Sequence, residues 1–331
     1  MTVGASSYGR RPFLKRLAAL GVGAPATWLA ACGDAPAPPA ASATASGPDG
    51  TAVASAGDYA AFLTATEFVP GANRFPFVIL AASGSELRGA TAQVRFFTGD
   101  GPNVIPKFEA AARYREVASA TPHTHADGVV HPHVDARGLY VVEAAPFDTP
   151  GTWLAEVRAT TAGGAALQVN GAAFTVAAQT AAPAVRSAAP RSRHATRLDV
   201  TDLAALCTRT PPCAMHDLSV AQALAAGQPS AITFSTPAFC ASRMCGPVLD
   251  VIVEVWSRHR AAVNFVHIEP WDLTLARGQG RLAPTPVTRE WALPTEPWVF
   301  LVGADGRVAA RFEGLVAADE IESALQPLLA Q

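Results

Sequence analysis

Several things this sequence lacks narrow its class. Its 25 basic side chains are balanced by 27 acidic ones across 331 residues, for a formal charge of −2, and no long basic stripe interrupts the balance. Gripping a phosphate backbone takes a concentrated positive face, so nucleic acid is excluded as the expected partner. Long apolar runs are missing too: the mostly apolar stretch from Leu17 to Ala31 falls short of the about 20 residues that a spanning helix needs. No internal repeat is apparent. Cysteine is scarce, with five in all: Cys32, Cys207, Cys213, Cys240 and Cys245.

Half of the chain is apolar, enough to bury two ordinary cores. Residues 1–32 read as a targeting segment, in which Arg10-Arg11-Pro12-Phe13-Leu14-Lys15 precedes the apolar run and Leu29-Ala30-Ala31-Cys32 closes it. The first string resembles the twin-arginine export signal. The second resembles a bacterial lipobox, which implies acylation of Cys32 and attachment of the chain to a membrane outside the cytoplasm. An oxidising compartment and an even remainder of four cysteines then favour disulfides, with three possible connectivities.

Residues 33–57 are Ala, Pro, Ser and Gly with almost no large apolar side chains, so they cannot offset the entropy of ordering and read as a tether. From 58 to 177 short β-rich runs alternate with turns. Among them are Phe77-Val78-Ile79-Leu80, Ala92 to Phe97, Leu139-Tyr140-Val141-Val142 and Trp153 to Arg158. In the last of these, Trp153, Ala155 and Val157 share one face and Glu156 and Arg158 the other. The pattern predicts an all-β antiparallel sandwich that is similar to immunoglobulin-like modules, without a cysteine pair across its sheets. A second Ala/Pro-rich stretch, 178–198, reads as a linker. Residues 199–331 alternate strand and helix signals: Ala231-Ile232-Thr233-Phe234, a helix from Gly246 to Arg260, Val263 to Ile268, Trp298 to Val302, Val308 to Phe312 and a closing helix from Ala317 to Leu329.

Three motifs in this last region carry a family resemblance. Phe234-Ser235-Thr236-Pro237-Ala238-Phe239-Cys240 resembles the strand and loop that present the first cysteine of thioredoxin-like proteins. Cys245-Gly246-Pro247-Val248 resembles the helix that follows, and Leu293-Pro294-Thr295-Glu296-Pro297-Trp298 resembles the cis-proline loop. The resemblance spans about 215–331 and implies a thioredoxin-like α/β fold after the sandwich. It also implies thiol–disulfide exchange with envelope protein thiols, in which Cys240 is the nucleophile, Cys245 resolves and Pro297 shapes the peptide-binding edge. A helix N-terminus and Arg243 would favour the Cys240 thiolate. The sequence departs from the family in spacing, with four residues between the cysteines and Gly-Pro after them. Five positions along a helix span roughly 8–9 Å, beyond the roughly 6.8 Å that a disulfide bridges. Bonding between the two therefore requires Cys240 to precede the helix or the first turn to be distorted. Phe234 stands where the family carries a buried carboxylate, so no proton acceptor is evident. A fixed structural disulfide, or a non-catalytic binding lipoprotein, is the competing reading. Thr236, four residues before Cys240, resembles the peroxidatic loop of peroxiredoxins displaced by one position.

Cys207 and Cys213 lie in a Pro-containing segment where a local structural disulfide is favoured. A rival function rests on His123-Thr124-His125 and His131-Pro132-His133, four histidines within eleven residues. On two strands around Asp127-Gly128 they can converge on copper, nickel or zinc, and the competing reading is an exposed polar hairpin. Copper or zinc are thus the cofactors to consider, with delivery to a metalloprotein as the corresponding partnership. Copper-delivery proteins of the Sco type pair two cysteines with a distant histidine. Met215, His216, Met244 and His267 are supplements of that kind here, although the cysteine spacing does not match.

Overall fold

The computed structural model describes residues 58–99, 104–117, 123–124, 130–131 and 138–330. The first region is built from long strands: β1 (Tyr59–Leu63), β2 (Gly71–Ala81), β3 (Thr91–Thr98), β4 (Ile105–Glu116), the two-residue pair β5 (His123–Thr124) and β6 (Val130–His131), β7 (Gly138–Phe147), β8 (Gly151–Thr160) and β9 (Ala166–Val176). Trp153, Ala155, Val157 and Ala159 of β8 are buried while the residues between them are partly or fully exposed, the period of a strand with one wet face.

These strands do not form two facing sheets. In the order β1-β2-β7-β4-β3-β8-β9 they close into a seven-stranded barrel, because β1 pairs antiparallel with β2 on one side and parallel with β9, through Ala60 and Asn170, on the other. Bulges in β2 and β8 supply the curvature. Opposite the β8 bulge stands Gly171, where a Cβ would lie 2.0 Å from the Ala155 carbonyl oxygen. Inside, Phe68, Phe75, Phe96, Phe147, Trp153 and Phe174 form one aromatic core with ring centroids 4.8–6.4 Å apart.

The second region contains α1 (Val220–Ala225), β10 (Ser230–Phe234), α2 (Cys245–His259), β11 (Asn264–Ile268), α3 (Leu273–Gln279), α4 (Pro286–Glu290), β12 (Trp298–Val302), β13 (Val308–Glu313) and α5 (Ala318–Leu329). Its four strands lie in the order β11-β10-β12-β13, with one parallel and two antiparallel pairs. β10 and β12 are buried throughout. One face packs on α2 and α5 together with Val117, Leu139 and Val141 from the barrel. The other packs on α1 and on Val287 and Trp291 at α4.

The expected architecture, an immunoglobulin-like sandwich followed by a thioredoxin-like α/β fold, is therefore corrected. The chain is mostly β, a closed seven-stranded barrel and a second small sheet, with five helices among the described residues. The physical reason is that a sandwich strand and a barrel strand both bury alternate residues, so the alternation in β8 fits either. Only the pairing of β1 at both edges decides.

Barrel and small sheet belong to one compact unit. Arg74 on β2 reaches the Glu320 carboxylate with both Nε and Nη2, at 2.6 and 2.9 Å, and Nη2 also donates to the Leu315 carbonyl. The Glu313 carboxylate accepts from the Thr66 and Glu67 amides. Gly314 has φ +71°, and a Cβ there would lie 1.6 Å from the Thr64 carbonyl oxygen, so only glycine allows this approach of the small sheet to the barrel. The segment 178–198 runs beside β13: Arg186 N–H donates to the Val308 carbonyl and Val308 N–H to that of Ser187.

Candidate functional site

Two cysteine clusters lie around the end of β10. The first follows from how the chain leaves that strand. After Phe234, Ser235 donates its hydroxyl to the Cys245 carbonyl at 2.8 Å, pinning the loop to the start of α2. Cys240 lies in the turn ahead of the helix, which is the placement that its distance from Cys245 demands. The Cys245 amide, an otherwise orphaned first-turn N–H, donates to Cys240 Sγ at 3.4 Å, and Ser242 Oγ lies 3.2 Å from the same sulfur. Cys240 is half-buried and Cys245 fully buried. Glu296 completes the cluster, with its carboxylate within 4.8 Å of both sulfurs, and a cis peptide joins it to Pro297.

The surroundings split the two thiols. A hydrogen bond from the Cys245 thiol, then Ser242 and the amides of Cys245 and Met244, hold Cys240 down at about 6 against the opposing effect of burial. Burial, reinforced by the Cys240 sulfur, pushes Cys245 well above its ordinary value. Burial and then the charge of Cys240 raise Glu296 to about 7. The cluster thus holds a nucleophile ionised near neutrality, a protonated neighbour and a carboxyl group able to give or take a proton. Glu296 places a titratable carboxyl beside the two sulfurs, a group that was not evident from the sequence. Its only local signal is its position before Pro297.

The second cluster gathers Cys207, Cys213, His216 and His267, all buried. Cys207 and Cys213 carry free thiols with sulfurs 3.9 Å apart. His267 Nδ1 lies 3.7 Å from Cys207 Sγ and 3.3 Å from Cys213 Sγ, while His216 Nε2 lies 3.3 Å from Cys213 Sγ and 3.3 Å from His267 Nδ1. The shared hydrogen bond with Cys213 moves the paired thiols apart, Cys207 down and Cys213 up. Three backbone features assemble the group. The His267 amide on β11 donates to the Met215 carbonyl at 2.8 Å, which lays the 213–216 turn on the strand. Thr208 gives its amide and hydroxyl to Glu269, at 2.6 and 2.7 Å. The Ala238 amide donates to Thr208 Oγ1 at 3.1 Å and links this loop to the one bearing Cys240.

Of the other sequence-derived candidates, β5 and β6 pair antiparallel and set His123 opposite His131, whereas His125, His133 and Cys32 lie outside the described residues. His216 and His267, read as supplements to Cys240 and Cys245, face Cys207 and Cys213 instead. The available signal was the Cys-x5-Cys-x2-His spacing of Cys207, Cys213 and His216. Comparison with known proteins finds no family model that matches the chain and no curated protein significantly similar to it.

Proposed function

We propose that this chain is an exported lipoprotein, anchored at Cys32, that exchanges disulfides with protein thiols of the cell envelope through Cys240, with Cys245 as resolving thiol. The observation that carries the reading is the Cys240 sulfur, half-buried ahead of a helix and held at about 6, with a buried thiol and a carboxyl group beside it. The order Arg10-Arg11, apolar run and Cys32 supports the location.

In the reaction the Cys240 thiolate attacks one sulfur of a partner disulfide. The partner S–S bond breaks, a mixed disulfide forms, and the leaving thiolate takes the proton of Glu296. Cys245 then passes its proton to the emptied Glu296 carboxylate and attacks the Cys240 sulfur. The partner's second thiolate is expelled and protonated from solvent. The chain ends oxidised by two electrons and the partner reduced by two, and the reverse sequence oxidises a partner dithiol. Pro297, buried and joined to Glu296 by a cis peptide, backs the edge proposed to receive the partner peptide.

The test is exchange with a model peptide disulfide by the full reduced chain. Cys240→Ser abolishes exchange, and Cys245→Ser accumulates the mixed disulfide. Exchange by Cys240→Ser at the wild-type rate overturns the reading.

A further inference from the structure

We infer that Cys207, Cys213, His216 and His267 bind one Zn(II) ion in a closed tetrahedral site, separate from the Cys240 chemistry. Metal–sulfur bonds of about 2.3 Å and metal–nitrogen bonds of about 2.0–2.1 Å place tetrahedral ligand atoms roughly 3.3–3.8 Å apart. Five of the six separations here run from 3.3 to 3.9 Å, and all four ligand atoms, two sulfurs and two ring nitrogens, lie within 4.8 Å of one another. All four side chains are buried.

One hydrogen bond at the edge of the group sets the tautomer that a metal requires. His267 Nε2 lies 3.0 Å from the Ser235 carbonyl oxygen, which only accepts, so Nε2 carries the ring proton. In the neutral ring Nδ1 then presents a bare lone pair to the cluster, in the tautomer that a metal requires. A metal-ligating imidazole is oriented by just such a bond from its other nitrogen to a carbonyl. Four lone-pair-bearing atoms in mutual contact share few protons, and a cation between them satisfies all four at once.

The donor set selects the ion. Two thiolates and two imidazoles in a four-coordinate geometry suit zinc, and since no further His, Cys, Asp or Glu joins the group among the described residues, the site is of the structural kind. Binding is balanced as one Zn(II) replacing two thiol protons, which leave to solvent. The resulting complex is neutral, as a buried site favours. A cavity of about 360 Å³ borders two of the four, His216 and His267, together with His194 and Glu269.

The test uses the full chain purified without chelator, with metals counted by plasma mass spectrometry after both zinc and copper have been offered. The expected result is one zinc per chain, retained in Cys240→Ser. In Cys213→Ser and His267→Gln, affinity falls by more than the roughly 10–100-fold that loss of a supporting hydrogen bond costs. So that the test does not depend on the folding of these variants, the wild-type chain is also stripped and reloaded with Co(II). A tetrahedral ligand-field spectrum with thiolate-to-cobalt charge transfer is expected. Absence of stoichiometric metal with a Cys207–Cys213 disulfide in the peptide map overturns the inference. So does copper in preference to zinc, or a cobalt spectrum without thiolate bands. Retention of zinc in Cys240→Ser keeps this outcome independent of the exchange assay.

Discussion

Cys240 with Cys245 and Cys207 with Cys213 are pairs of similar spacing whose surroundings differ in nearly every respect. The first has one half-buried member at a helix start beside a carboxyl group; the second is wholly buried against two imidazoles. What faces each sulfur therefore differs: first-turn amides and a nearby thiol hold Cys240 down at about 6, while two ring nitrogens converge on Cys207 and Cys213.

The largest effect that could break this contrast lies in exchange activity. Cys240→Ser should lower it by at least about 1,000-fold, while Cys213→Ser retains it wherever the chain still folds. A rate assay on the two variants shows whether the roles are separate. Next in size is the response to metal removal. If the second pair holds zinc at about a thousand times its dissociation constant, chelation removes roughly 4 kcal/mol. For a chain of this size that lowers the unfolding midpoint by about 10 °C in a thermal scan. Cys245→Ser should leave that difference intact.

Titration separates the pairs as well. Alkylation of Cys240 should rise with pH through about 6 and then level, where an ordinary thiol continues to rise through about 8.5. The groups facing it are Cys245 on α2 and Glu296 ahead of β12. Since its folded value lies below the unfolded one, ionisation of Cys240 adds stability that is complete above the ordinary thiol value. That stability is lost as pH falls through about 6, and denaturant midpoints of the reduced chain between these limits give the sign. Thr208→Val, which cuts the tie between the two loops and one hydrogen bond to buried Glu269, should cost about 1–3 kcal/mol in denaturant melts. The smallest expected change is from Glu296→Gln: with its carboxyl raised to about 7, Glu296 is largely neutral where Cys240 titrates, so the Cys240 midpoint should move by less than about one unit, read from thiolate absorbance.

Much of the local structure was legible in the chain. The runs Phe77–Leu80, Ala92–Phe97, Leu139–Val142 and Trp153–Arg158 fall within β2, β3, β7 and β8, and the expected helices from Gly246 and Ala317 match α2 and α5 to within a residue or two. β4 was not legible. Ile105-Pro106-Lys107 and the Ala- and Arg-rich residues after it have little intrinsic strand preference, and the strand is held by its pairing with β3 and β7. Nor was the hand-over of His216 and His267 from one cysteine pair to the other. His267 is 54 positions from Cys213 and 22 from Cys245, so sequence distance favours the wrong partner.

Alternation, turn residues and the order of motifs were enough to mark out the strands, the two long helices and the cysteines with chemistry to offer, because these depend on near neighbours along the chain. Barrel closure and the choice of neighbours for each sulfur depend on which strand edges meet. The pairing of β1 with β9, and the bond from the His267 amide to the Met215 carbonyl, are long-range backbone contacts that local preference does not encode. The tertiary structure alone settled both, because burial of a whole aromatic core and satisfaction of buried amides are properties of the assembled chain.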